Sequence, residues 1–214
     1  MGGSVRKKKT GGTQMYALAI NGSPRSDGNT QYLLNQVLMQ LSRANWQTEI
    51  VQVGGAPIRG CMACLKCKEI KNQRCSINTD HFNEIMEKMI RADALILGSP
   101  TYFADVSSEM KALIDRSGYV ALANNRAFKA KIGAAVVAVR RGGSIHAFDT
   151  INHLFMINQM IVPGSSYWNM GLGRERGEVQ NDSEGIRNMI NLGQTIAWLG
   201  HAISQNKDNF PKLE

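Results

Sequence analysis

The stretch Met15-Tyr-Ala-Leu-Ala-Ile20-Asn21-Gly-Ser23-Pro-Arg25-Ser26-Asp-Gly-Asn29-Thr30 decides the fold. Its first part is a short apolar run stopped by Asn21-Gly22, and that length and ending favour a buried strand. From Asn21 to Thr30 nearly every residue is a turn former. Leu33, Leu34, Val37, Leu38 and Leu41 then return at helical spacing. The order is therefore strand, polar glycine loop, helix. The loop ends where the helix's unpaired N–H groups begin, which makes it a ready anion site.

The same alternation runs through the rest of the chain. Gln47 to Val53 reads as strand two, Ala94 to Gly98 as strand three and Lys131 to Val139 as strand four. A fifth, short strand is expected to begin at Ile161-Val162. Helices are expected after Thr79 or Asp80, around Met110 to Ile114, from about Ile145 to Met160, and from about Ser183 to Ser204. The 145–160 helix is apolar on more than one side, as in a buried helix or a subunit contact. Five strands alternating with five helices, joined by crossover-length connections, predict an α/β fold: a five-stranded open parallel sheet with helices on both faces. The ligand site of such a sheet lies outside the carboxyl ends of its strands. The loops there are 21–30, 54–78, 99–106, 140–144 and about 163–182.

The chain has 214 residues, 43% apolar and 20% charged, an ordinary globular composition that suits one domain. Residues 1–14 are Gly-rich and basic and read as a disordered tail or an expression remnant, leaving 15–214 as the folded domain. The net charge is +8, and Arg6, Lys7, Lys8 and Lys9 supply half of it. Basic and aromatic residues are not interleaved elsewhere, so a nucleic-acid partner is not expected. An acidic protein partner or an anionic cofactor fits the charge better. No apolar run reaches the roughly 18 residues of a membrane span, and no signal sequence is visible, so a cytoplasmic location is expected.

Each loop offers particular chemistry. Ser23, Arg25, Ser26, Asn29 and Thr30 supply hydroxyls, amides and one guanidinium, a set suited to a monophosphate dianion. The plain alternative is a capped polar turn. The loop lacks the ending of a triphosphate loop and the G-x-G-x-x-G dinucleotide pattern. Pro100, Thr101, Tyr102 and Phe103 could flank a flat ring, although aromatics near a strand end are more often core. Arg140-Arg141-Gly142-Gly143 allows close backbone approach beside positive charge. All four cysteines, Cys61, Cys64, Cys67 and Cys75, fall in one run with the spacing C-x2-C-x2-C-x7-C. That spacing fits an iron–sulfur ligand set. Structural zinc, disulfides and free thiols in a loop without a cluster remain open beside it.

Asn21-Gly-Ser-Pro-Arg-Ser-Asp-Gly-Asn-Thr30 together with Gly98-Ser-Pro-Thr-Tyr-Phe103 resembles the flavodoxin-like FMN proteins, specifically the NAD(P)H-dependent FMN reductases. The cysteine run further resembles that of the iron–sulfur flavoproteins, which bind a [4Fe-4S] cluster. The resemblance spans about residues 15–204. It implies FMN phosphate on Ser23, Arg25, Asn29 and Thr30, the flavin ring against Pro100, Thr101, Tyr102 and Phe103, and the 140–144 loop at its edge. It implies cluster ligation by Cys61, Cys64, Cys67 and Cys75. Arg140-Arg141 departs from the family's usual glycine-rich loop.

The expected function is an FMN-dependent oxidoreductase passing electrons from NAD(P)H or an acidic ferredoxin-type donor to an acceptor. The flavin carries the chemistry, so no catalytic side chain is required. His146, on the predicted helix after Gly143, could approach the flavin. The family builds homodimers and homotetramers, and the 145–160 helix and Tyr167-Trp168 are the candidate contacts. The alternatives are a non-enzymatic flavodoxin-type carrier, a cluster-free NAD(P)H:FMN or quinone reductase, and a zinc- or thiol-based module on the same scaffold.

Overall fold

The structure is a computed structural model that describes residues 14–206 and 209–211. Residues 1–13 of the expected tail lie outside the described residues. The five strands are β1 (Tyr16–Asn21), β2 (Gln47–Gln52), β3 (Ala94–Pro100), β4 (Ile132–Val139) and β5 (Met170–Leu172). They form one parallel sheet in the order β2-β1-β3-β4-β5. The expected fold class is borne out.

The helices are α1 (Asn29–Arg43), α2 (Lys66–Ile70), α3 (Phe82–Arg91), α4 (Ser108–Ala123), α5 (Ser144–Ile157) and α6 (Ser183–Ser204). Period-two alternation along the central strands divides the core. Leu18, Ile20, Leu95, Leu97, Ala135 and Val137 face α3, α4 and α5. Ala17, Ala19, Ile96, Ala134 and Val136 face α1 and α6. Small residues dominate this second set, which lets α1 lie close: a Cβ added at Gly98 would fall 2.7 Å from Leu34.

Two sequence expectations need correction. The fifth strand lies at Met170–Leu172, not at Ile161-Val162. Ile161 forms only an isolated bridge to Ile132 near the amino end of β4, and Pro163 then removes a ladder donor. Among the described residues the α-helices number six rather than five because α2 is a short helix inside the cysteine loop, flanked by Leu65 and Lys71 in left-handed conformations. The helix expected over 145–160 runs from Ser144 to Ile157 and leaves Ile145, Met156 and Ile157 exposed. No described helix is long and apolar enough to cross a membrane.

Candidate functional site

The site begins with Asn21, the last residue of β1, which is fully buried. Its Oδ1 accepts the Ser23 N–H at 2.9 Å, and its Nδ2 donates to Gln31 at 3.0 Å and Gln52 at 2.9 Å. One amide thus turns the chain from strand into loop and ties that turn to β2 and α1. The Ser23 Oγ accepts the Arg25 N–H at 3.2 Å, so the loop is braced from inside. Gly54 allows close approach from the neighbouring loop: an added Cβ would lie 2.3 Å from the Ser23 carbonyl carbon.

The helix after this loop starts without a side-chain cap. The first-turn N–H groups of α1, beside the Thr30 side chain, are left for an external anion. Arg25 and Ser26 are exposed at the rim, while Ser23 and Thr30 are buried. The Asn29 side chain has a bracing role. Its Nδ2 donates to the carbonyls of Gly173 at 3.1 Å and Glu175 at 2.9 Å, and its Oδ1 accepts the Val179 N–H at 3.4 Å. A second tie, between Arg176 and Asp27, holds the same two loops together.

The ring-flanking loop follows β3. Thr101 donates its N–H to Ala138 at 2.9 Å, and Tyr102 and Asp105 exchange backbone bonds of 2.8 and 3.0 Å that close a tight turn. Phe103 and Ala104, at the tip, have positive φ. Tyr102 and Phe103 are exposed, so these aromatics are not core. The Thr101 Oγ1 is buried without a hydrogen-bond partner among the described residues, an orphan that a ligand's polar edge would satisfy. Gly143, at φ +88°, lies against this turn: a Cβ there would come within 2.8 Å of the Ala104 Cα. The 140–144 loop therefore adjoins loop 101–105, with Arg140 and Arg141 exposed beside it. Arg25, Arg140 and Arg141 form no ion pair among the described residues. The His146 Nε2 lies 3.6 Å from Asp105 and remains largely exposed.

The cysteine loop occupies the opening between β2 and α3. Cys61, Cys64, Cys67 and Cys75 line one small pocket, and all four thiols are free. Among the described residues, no three Cys, His, Asp or Glu side chains converge tightly enough for a single ion. A cubane asks for something wider, one thiolate on each of four irons. The Cys64 thiol sits below its usual range because Ser76 hydrogen-bonds its sulfur at 3.3 Å. Burial pushes the Cys67 thiol up.

Side chains from α3 and α4 hold this loop. Asn83, buried, accepts the Cys75 N–H at 2.8 Å and donates to the carbonyls of Cys75 and Ile77. Arg116, also buried, bonds Asp80 at 2.5 Å and donates to the carbonyls of Arg59 and Ile77, each at 3.1 Å. Arg59 precedes the cysteines and Ile77 follows them, so one guanidinium clasps both ends of the loop. Asn124 accepts the Gln73 N–H at 2.9 Å. Burial pushes the Asp80 carboxyl up, but bonds from Arg116 and the Arg59 N–H outweigh it and leave the carboxyl below its usual range. Sequence reasoning missed Asn83, Arg116 and Asn124. A polar residue on the apolar side of α3 was the available signal for Asn83.

With the geometry in view, comparison with known proteins decides the assignment. Residues 15–175 match the model of the NADPH-dependent FMN reductases. The chain belongs to this family. An iron–sulfur flavoprotein of Methanocaldococcus jannaschii is 35% identical over 86% of this chain and 96% of its own length. An iron–sulfur flavoprotein of Methanosarcina thermophila is 29% identical over 91% of this chain and 100% of its own. Among solved structures, RosB with a bound formyl-riboflavin phosphate intermediate matches with a TM-score of 0.70 at 16% identity, covering 89% of this chain and 81% of that one. A WrbA-like flavodoxin of Agrobacterium tumefaciens matches with a TM-score of 0.62 at 13% identity, covering 89% and 99%. As a member of the FMN reductase family, this protein is an FMN-dependent oxidoreductase in the branch whose curated relatives are iron–sulfur flavoproteins. The uncapped start of α1 and the orphaned Thr101 Oγ1 fit that cofactor.

Proposed function

We propose that this FMN reductase also holds a [4Fe-4S] cluster on Cys61, Cys64, Cys67 and Cys75 and passes electrons between NAD(P)H or an acidic ferredoxin-type donor and an acceptor. The observation that carries this reading is the shared pocket: four cysteines of one loop line it, and buried side chains of two helices brace the loop. When bound, the flavin would supply hydride and single-electron chemistry and the cluster single-electron chemistry alone.

The chain's own residues bind and orient. The first-turn N–H groups of α1, with Ser23, Ser26, Thr30 and Arg25, hold the FMN phosphate. Pro100, Thr101, Tyr102 and Phe103 take the ring, and the Thr101 hydroxyl meets its polar edge. Gly143 lets the neighbouring loop close on that edge, where Arg140 favours negative charge. Exposed Arg25, Arg140 and Arg141 form a basic rim that would steer an acidic protein donor.

An anaerobic visible spectrum with iron and acid-labile sulfide counts tests the cluster. About four of each per chain are expected. A flavin-only spectrum that persists after reconstitution with iron and sulfide would leave a cluster-free FMN reductase. Steady-state turnover with NADH, NADPH or reduced ferredoxin identifies the donor and separates an enzyme from a passive carrier. A homodimer or homotetramer is proposed through Met156 and Ile157 of α5 and through Tyr167-Trp168, all exposed. A monomeric solution mass at full FMN occupancy would refute it.

A further inference from the structure

The cysteine pocket has one charged side chain in its wall, Arg116. The residue is 1% exposed. A guanidinium carries five N–H donors. Nη1 donates to the Arg59 carbonyl and to Asp80, and Nη2 donates to the Ile77 carbonyl. Phe82 covers one face of the plane at 4.0 Å. The Nε–H is buried with no hydrogen-bond partner among the described residues. A buried donor on a charged group without an acceptor is rare in folded proteins, so its position calls for an acceptor that the protein's own oxygens do not supply. All four cysteines share the wall of the pocket with it.

We propose that the Arg116 Nε–H is donated to a sulfur of the cluster carried by Cys61, Cys64, Cys67 and Cys75, and that Arg116 thereby sets the cluster's reduction potential. The inference rests on the cluster reading above. Reduction adds negative charge to the sulfur-rich group. A charge-assisted donor and a buried positive charge both favour the state with more negative charge, so they raise the potential. Asp80, on the far side of the same guanidinium, acts in the opposite sense. The two members of one ion pair therefore push the potential in opposite directions. A purely structural clasp would not, because loosening the loop from either side exposes the cluster in the same way.

The test is a spectroelectrochemical titration of the cluster in the intact, FMN-loaded chain, with iron counted, for wild type, Arg116→Lys and Asp80→Asn. Lysine keeps the charge and the reach to Asp80 and loses the Nε–H. Arg116→Lys is expected to retain its iron and to shift the one-electron equilibrium about tenfold toward the oxidised form, a potential about 59 mV lower. Asp80→Asn is expected to shift it the other way. Equal potentials in wild type and Arg116→Lys, or shifts of the same sign in both variants, would overturn the inference. If a variant fails to hold iron, wild-type protein decides. With guanidino-15N arginine incorporated, pulsed EPR of the reduced cluster should show an arginine nitrogen coupling, and its absence overturns the proposal. A wild-type chain that takes up no iron at all defeats the cluster reading itself, and this inference falls with it.

Discussion

Loops 21–30 and 99–106 take their shape from bonds between neighbouring segments at the carboxyl end of the sheet. Gly22 donates to Gly98 at 2.7 Å, the Ser107 hydroxyl donates to the Gly22 carbonyl at 2.7 Å, and the Ser107 N–H reaches Ser99 at 3.0 Å. The cysteine loop, away from the strand ends, is held by side chains of Asn83, Arg116 and Asn124. The flavin region follows from strand order, because parallel strands bring their carboxyl-end loops together whatever those loops contain. The cysteine region depends on a few specific anchors. The two regions should therefore fail independently and by different routes.

The largest expected effect is the removal of a ligand. Cys75→Ala should abolish iron binding in reconstituted protein and leave FMN content unchanged, measured as iron and flavin per chain. Joint loss of both would show that the regions fold as one unit.

Next is Asp80→Ala, which strands the Arg116 charge in the interior. Breaking a buried pair from one side costs about 3–5 kcal/mol, and urea unfolding should show it as a lower midpoint. The pair also carries a pH signature. The depressed Asp80 carboxyl contributes stability that is fully present above its ordinary value of 3.8 and is lost as pH falls through its lower folded value. Acid unfolding of wild type should therefore be steeper in that range than that of Asp80→Asn.

Gly54→Ala sharpens the comparison from the flavin side. Its added Cβ must displace the Ser23 carbonyl, at a cost of about 1–3 kcal/mol. FMN affinity measured by flavin fluorescence should fall roughly ten- to hundredfold, with iron content unchanged. The smallest effect is that of Arg25→Gln at the exposed rim. Losing one charge-assisted bond to the phosphate should weaken FMN binding about tenfold, measured by the same titration.

This division also explains what the sequence made legible. The apolar run before Asn21, the leucine spacing after Thr30 and the β-branched run Val136-Val137 are local signals, and each produced an element near its expected place. The clustered cysteines were equally plain. β5 was misplaced because Ile161-Val162 is the more strand-like pair. Met170–Leu172 qualifies only because its backbone can pair with Val137, Ala138 and Val139, a fact of register rather than of composition. Arg116 was invisible for a related reason. On α4 it reads as one more surface charge, and only the return of the cysteine loop encloses it. Asn29 reads as a phosphate residue from its position, and only the fold shows that its side-chain amide also braces the loop after β5.

That brace has a consequence for biosynthesis. The phosphate loop is complete in sequence by Thr30, yet the partners of Asn29 at Gly173, Glu175 and Val179 lie 144 to 150 residues further along the chain. A nascent chain therefore carries the recognisable half of the flavin cradle long before it can close it. Retention of FMN therefore waits for these distant supports, and a truncation just short of Gly173 should yield a chain that keeps the motif but does not retain the cofactor.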